Sequence, residues 1–388
     1  MCKRYKFIHF FLNNKSGFNQ YVIDMINDEE FETDQHLFIT SDYELYDRNA
    51  NRCNMIFIDH EDNVKARAIN KYGEFGDWII LHSVPSPQVA VHIKSKIRRK
   101  TIWRTWGRDI SVPMHYVSIR EIFVHFNWII HGDIRYVLED TFTKLRWPIV
   151  IRDFYAIGIA NVIDEIRIRQ IYDKTRFIRL DYHPGLECEK SVILNKGKTV
   201  KDGYYHVMVG HSACRIDNHC AMVDLLKKFE NQNIVIHIIL SNDGDEDYIR
   251  NVKEYIENNW NGKKEIIMAM MSYDEYVKYV DGMDAIILDG ECSYALGNIS
   301  IGVYYGKKFF LNRKGVIAEG MRMEDIPYNN IDEIPEMTWD EFIKPLEYEV
   351  DIKKSTLVGT TFLENKNNWK ELFNELSMKS DNLWVKGD

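Results

Sequence analysis

The sequence predicts an α/β protein built from two doubly wound domains, and three observations carry that expectation. Short β-rich apolar runs alternate with stretches of helical period along most of the chain. Such alternation implies parallel strands joined by right-handed crossovers. The alternation lapses once, at residues 182–203 (YHPGLECEKSVILNKGKTVKDG), where Pro184, three glycines and mixed charge leave no sustained period. The length, 388 residues, suits about two domains at roughly 100–200 residues each.

Taken in order, the first set of strands is expected at residues 6–12, 36–40, 54–58, 77–81 and 101–105. Helices between them include 17–26 and 86–100. The second set is expected at 204–209, 234–240, 265–270, 285–288 and 308–311, with helices at 217–229, 246–258, 272–280 and 298–305. A last helix, about 363–376, lies beyond the second set, and a tail of this kind can pack back on the first domain. No repeat of solenoid period is present.

With 45% hydrophobic and 28% charged residues the chain can bury full cores, which excludes disordered, collagen-like and low-complexity classes. A formal charge of −9 argues against a dedicated nucleic-acid binder. The charge is uneven. Residues 1–180 hold 26 basic against 23 acidic groups, residues 181–388 hold 24 against 36, and residues 65–180 alone hold 20 against 11. A basic region of this kind seeks phosphate, whether of a nucleotide, a nucleic acid or an anionic membrane. Six scattered cysteines with no C-x-x-C pair read as small buried hydrophobes of an intracellular protein. The apolar stretch 7–12 is too short for a signal peptide, and no run approaches the roughly 18–20 residues that span a bilayer. A soluble or peripheral protein is expected.

Doubly wound domains bind ligands beyond the carboxyl ends of their strands, and two of them leave the cleft between as the default site. Three segments lie at such ends. Val209-Gly210-His211-Ser212-Ala213-Cys214-Arg215 follows a strand and precedes a helix. Gly210 admits close backbone approach, Ser212 can donate a hydrogen bond, and Arg215 and the helix N–H groups suit a phosphate. Tyr294-Ala295-Leu296-Gly297-Asn298 repeats the arrangement after a long polar loop holding Asp289, Glu291 and Ser293, which could grip sugar hydroxyls; Asn312 and Arg313 end the next strand. In Trp103-Arg104-Thr105-Trp106-Gly107-Arg108-Asp109, Trp106 could stack on a sugar, Arg108 could take a phosphate, and Asp109 could act as general base.

Each segment also has a plainer reading. The first is then an ordinary turn with a solvated Arg215, and the second a polar surface loop. The third becomes two core tryptophans beside an Arg108–Asp109 ion pair. His82 ends the preceding strand, where a lone histidine is more often structural. Asp243-Gly244-Asp245 could chelate a metal, but carboxylates that open a helix are better read as capping, and Ser272-Tyr273-Asp274-Glu275 reads as a capping box. The expected helix 86–100 presents Val89, Ala90, Ile93 and Ile97 on one face and crowds Lys94, Lys96, Arg98, Arg99 and Lys100 on the rest. It could pack in the core or rest on anionic headgroups, at ~1 kcal/mol per basic residue.

Together these segments resemble the bacterial TDP-N-acetylfucosamine:lipid II N-acetylfucosaminyltransferases of enterobacterial common antigen synthesis. Trp106-Gly107-Arg108-Asp109-Ile110 matches that family's Trp-Gly-Ala-Asp-Leu box. Val209 to Arg215, with His219, matches Val-Gly-Asn-Ser-Gly-Asp-Arg and a following His. Ala295-Leu296-Gly297-Asn298 stands for Gly-Ile-Gly-Thr, Leu311-Asn312-Arg313 for Leu-Asn-Arg, and His82 for a strand-end His. The matches run in order through most of residues 1–315. The chain departs at His211, Ala213, Cys214, Tyr294 and Asn298, positions of the implied donor site that bear on the sugar more than on the reaction.

The resemblance implies a GT-B glycosyltransferase, two Rossmann-like domains facing a cleft. Residues 1–185 would be the acceptor- and membrane-facing domain, 204–350 the nucleotide-sugar domain, and 351–388 a tail helix. The donor, a dTDP- or UDP-linked deoxy-amino sugar, would meet Gly210, Ser212, Arg215, His219, Tyr294, Gly297, Asn298, Asn312 and Arg313. The acceptor, a polyprenyl-diphosphate-linked glycan at the cytoplasmic face of the inner membrane, would meet Trp106 and Arg108. Asp109, or His82, would deprotonate it if the reaction inverts; a retaining reaction needs neither as base. No cofactor or metal is implied, since a helix N-terminus and Arg215 can stabilise the leaving diphosphate. Two other readings stay open: a different GT-B activity such as an epimerase or a transferase to a soluble acceptor, and a non-catalytic partner in polysaccharide assembly.

Overall fold

The structure is a computed structural model. It describes residues 3–12, 17–28, 30–59, 61–84, 86–106, 109, 134–171, 175–181, 192–195, 202–241, 244, 246–291, 294–351, 355, 357 and 362–384. The chain divides into two compact units: Met1–Gly185 with Thr360–Asp388, and Leu186–Gly359.

Among the described residues unit 1 holds seven parallel strands: β1 (Tyr5–Phe11), β2 (His36–Thr40), β3 (Met55–Phe57), β4 (Gly76–His82), β5 (Thr101–Arg104), β6 (Ala156–Ile159) and β7 (Phe177–Arg179). Their order across the sheet is β3-β2-β1-β4-β5-β6-β7. Strands buried on both faces need apolar runs, as in Trp78–Leu81 of β4. One face packs Ile8, Phe10, Ile79 and Leu81 against helical Ile69, Val89, Ile97 and Trp147. The other packs Phe7, Phe11, Phe38 and Ile80 against Trp369, Leu372, Phe373 and Leu376 of the tail helix Phe362–Trp384. Polar contacts seat that helix. Trp78 Nε1 donates to Leu376 O at 2.9 Å, and Asn365 and Asp181 exchange two hydrogen bonds. β6 and β7 were not among the expected strands.

The expected helix 86–100 is instead two short ones, Pro87–Val91 and Ser95–Arg98. Asn70 holds the break: its amide donates to His92 O at 3.0 Å and its carbonyl accepts from Lys94 N at 2.8 Å. These bonds replace the ones that a continuous helix would make. The basic groups are largely tied down as well. Lys94 and Lys96 reach Glu74, Lys100 donates to Gly76 O, and Arg98, only 6% exposed, is paired to Asp153 at 2.6 Å. A free amphipathic lipid-binding helix is therefore absent from this segment.

Unit 2 holds β9 (Tyr205–Val209), β10 (Ile234–Ile239), β11 (Lys263–Ile267), β12 (Ala285–Leu288), β13 (Lys308–Leu311) and β14 (Asn329–Asn330), parallel, in the order β11-β10-β9-β12-β13-β14. The lapse at 182–203 contains a strand after all: β8 (Val192–Asn195) pairs antiparallel with β15 (Tyr348–Asp351). The helix expected at 217–229 resolves into a 3-10 turn Arg215–Asp217, an α-helix His219–Leu226 and a second turn Lys227–Phe229.

Candidate functional site

In unit 2 the chain leaves β9 for β10 on one side and returns to β12 on the other. The loops after β9 and β12 therefore part to opposite faces and open a crevice at the carboxyl edge. Gly210 begins the first loop with φ +72°, and a Cβ there would lie 2.4 Å from His219 Nε2. Only glycine fits that turn. Asp217, fully buried, is the anchor of the loop. Its carboxylate accepts from His211 Nδ1 (3.0 Å), Ser212 N (3.3 Å) and Ser212 Oγ (3.3 Å). Gly244, at φ +107°, brings the β10 loop against Ala213, where a Cβ would meet the Ala213 carbonyl oxygen.

The loop after β12 is fastened to its neighbours. Gly290 N donates to Tyr294 Oη at 2.6 Å, and the Tyr294 ring stands edge-on to His211 with centroids 5.0 Å apart. Asp289 accepts from Asn218 Nδ2 at 2.9 Å and from Asn312 Nδ2 at 3.2 Å, joining the loops after β9, β12 and β13.

Helix starts divide into two kinds here. The helix Tyr273–Asp281 has Ser272 and Glu275 in a capping box, and Trp339–Ile343 has Thr338 and Glu341 in another. At the crevice, His219–Leu226 begins after Asn218 and Leu296–Tyr304 after Ala295, both left-handed and neither with a described side-chain cap. Helix N–H groups not taken up by a side chain are a ready partner for an anion.

The expected donor residues divide in the same way. Arg215 is exposed, with its guanidinium 5.1 Å from the centroid of the Tyr248 ring, and Arg313 is exposed at the end of β13. Gly210, Tyr294 and Gly297 line the two crevice loops. Ser212 faces inward to Asp217, and Asn312 holds Asp289. His219 is buried and shares a hydrogen bond with Tyr248 Oη at 2.9 Å, and burial lowers its pKa. Asn298 is 6% exposed and lies beside Tyr276. His219 and Ser212 thus support the loops from beneath. Sequence reading missed Asp217, and it placed His211 in the donor segment without its bond to that carboxylate. Asp217 looked like the first residue of a helix, and a carboxylate there signals a cap.

In unit 1, Arg108 lies outside the described residues, as do Asp243 and Asp245 in unit 2. Trp106 is partly buried against the aromatic core, while Trp103 is buried. The Asp109 carboxylate accepts from Trp106 N (2.7 Å), Trp103 Nε1 (2.8 Å), Ser83 Oγ (3.0 Å) and Val84 N (3.1 Å). Burial pushes its pKa above the usual carboxylate range, and these donors offset part of the rise. Ser83, at φ +69°, is a strained left-handed residue just past β4. His82 is buried. Its Nε2 lies 3.0 Å from His9 Nδ1, its ring stacks on Phe11 and Trp369, and burial holds its pKa well below the usual value. Enclosed in this way, His82 is a core group with no exposed face for an acceptor.

Two parallel-sheet α/β units with these strand orders match the GT-B fold. Among solved structures the chain is similar over its whole length to Anabaena HepE in complex with UDP and glucose (11% identity, 99% of this chain and 100% of that one, TM-score 0.55). It is similar also to a glycosyltransferase from Rickettsia africae (13% identity, 99% and 98%, TM-score 0.58). A third likeness is the α,α-trehalose 6-phosphate synthase from Burkholderia multivorans (8% identity, 100% and 99%, TM-score 0.54). No family model matches the chain, and no curated protein matches it by sequence.

Proposed function

We propose that the protein is a nucleotide-sugar glycosyltransferase whose unit 2 holds the nucleoside diphosphate of the donor. The observation that carries this reading is the pair of uncapped helix starts, after Asn218 and Ala295, at the strand-order reversal of a GT-B sheet. Arg215 and Arg313 stand at the same edge and can carry the charge that develops on the leaving diphosphate without a divalent ion. HepE, similar in fold, binds UDP, and UDP or dTDP is the expected nucleotide. The resemblance in the motifs supports a deoxy-amino sugar as donor and a polyprenyl-diphosphate-linked glycan as acceptor, at the cytoplasmic membrane face. In unit 1, Asp109 is the candidate base for an inverting reaction. Its Oδ1 accepts, among the described residues, from Trp106 N and keeps a lone pair, and its raised pKa suits proton transfer.

Calorimetric titration with UDP, dTDP and GDP, each with and without magnesium, tests the proposal. One nucleotide is expected to bind equally well in both conditions. Arg215→Ala is expected to weaken that binding about tenfold, the loss of one charge-assisted contact at ~1.4 kcal/mol. Failure of all three nucleotides to bind would remove the reading in favour of a non-catalytic partner.

A further inference from the structure

The helix Ile134–Asp153 buries Trp147, Val150 and Ile151 in the core of unit 1. Its opposite side is unusual for a water-facing surface. Phe142 is 42% exposed, Leu145 72% and Ile149 56%. Spaced by three and then four residues, they form one continuous stripe. The groups beside the stripe are basic: Arg146 and Arg152 are exposed, with the Arg146 guanidinium 5.0 Å from the Phe142 ring centroid. Residues 141–152 include no Asp or Glu.

The neighbourhood has the same character. The short helices Pro87–Val91 and Ser95–Arg98 pack on this helix, and Arg98 and Ser95 both bind Asp153 at its end. The exposed Lys94, Lys96 and Arg99 therefore flank it, with Glu74 the acidic group set against two of them.

We infer that this face of unit 1 lies in the headgroup layer of an anionic bilayer, with Phe142, Leu145 and Ile149 entering the acyl boundary and the arginines on lipid phosphates. An apolar stripe rimmed by cations matches that surface in both respects. A second copy matches it less well, since a two-fold contact would set one basic rim against another. No described helix is long and apolar enough to cross a membrane, so the contact is interfacial. The inference deepens the lipid-linked-acceptor reading and rests on it. It also moves the membrane contact from the segment 86–100 to the neighbouring helix.

Co-sedimentation of the full chain with vesicles of mixed phosphatidylglycerol and phosphatidylcholine tests it against phosphatidylcholine alone. Binding to the anionic vesicles is expected. Leu145→Asp with Ile149→Asp is expected to weaken it by about tenfold or more, and Arg146→Glu with Arg152→Glu to make the residual binding insensitive to lipid charge. All four positions are exposed, so circular dichroism and the unfolding midpoint should not change. Absent wild-type binding, or equal binding by the apolar double variant, overturns the inference. So does a concentration-dependent dimer that this variant dissociates. Nucleoside-diphosphate titration of the same proteins reads unit 2 separately, so a failed donor reading is told apart from a failed membrane contact.

Discussion

The two units arrange their strands alike from the first strand outward, yet they close their sheets in different ways. In unit 2 the helices that cover the sheet come from the intervening chain, and the loops at the carboxyl edge keep Arg215 and Arg313 exposed. In unit 1 one face is covered by a helix that follows the whole of unit 2 in sequence. Beneath that helix lies a chain of three buried histidines. His9 Nε2 is 2.9 Å from His36 Nδ1, and His9 Nδ1 is 3.0 Å from His82 Nε2. Neutral imidazoles can satisfy such a chain by donating in one direction along it, and burial disfavours any added charge. Burial holds His36 at about 3 and His9 well below the usual value. One sheet edge is thus left open to ligand, and the other sheet face is sealed by a distant segment.

The largest test of this contrast is removal of residues 361–388. It strips Trp369, Leu372, Phe373 and Leu376 from unit 1, a loss on the order of 10 kcal/mol that rivals the stability of a whole domain. Calorimetry of the truncated chain should show the unit 2 transition and no unit 1 transition; survival of both would break the comparison. A finer cut is Trp369→Ala. Its cost should be ~3–5 kcal/mol, read as a lowered midpoint for unit 1 with unit 2 unchanged. A shift shared equally between the transitions would mean that the tail is not specific to unit 1.

Acid should separate the units next. The folded pKa of each buried histidine lies below its unfolded value of about 6.5, so the unfolded chain takes up protons first. Stability is fully present above about pH 6.5 and falls as pH drops through the window toward about 3 for His36. Each imidazole contributes up to ~1.4 kcal/mol per pH unit within its window. Unit 1 has His9, His36 and His82 in one chain; unit 2 has His237, held at about 4, and His219. The unit 1 midpoint should therefore fall more steeply, and parallel slopes for the two transitions would refute that ordering. The smallest effect expected is that of Gly210→Ala. Forcing a side chain into the left-handed turn costs about 1–2 kcal/mol, and the Cβ displaces His219 as well. Unit 2 alone should respond, with weaker nucleotide binding; unchanged binding would mean that the turn does not shape the site.

Much of this architecture was legible from local pattern. AIIL in β12 is apolar without interruption and IVIHII in β10 is broken only by His237, both bounded by turns, as strands buried on both faces must be. The box Ser272–Glu275 announced its helix start correctly. What misled was always a long-range contact. The segment 86–100 has helical period, but Asn70 breaks it from another helix. β6 and β7 are only four and three residues long, and they become strands by pairing to β5 and to each other.

The candidate site shows the same division. Gly210, Arg215, Tyr294 and the strand ends they follow could be read directly, because turns and helix starts are encoded within a few residues. That Asp217 would turn inward to hold His211 and Ser212, or that His82 would be enclosed by Phe11 and Trp369, could not. Sequence by itself determined the doubly wound class and the strand ends that carry the candidate site, since periodicity and turn chemistry are local properties of the chain. Tertiary structure decided which polar groups are buried and which stay open. Burial depends on what distant segments bring against a residue, as the tail helix does for the histidines of unit 1.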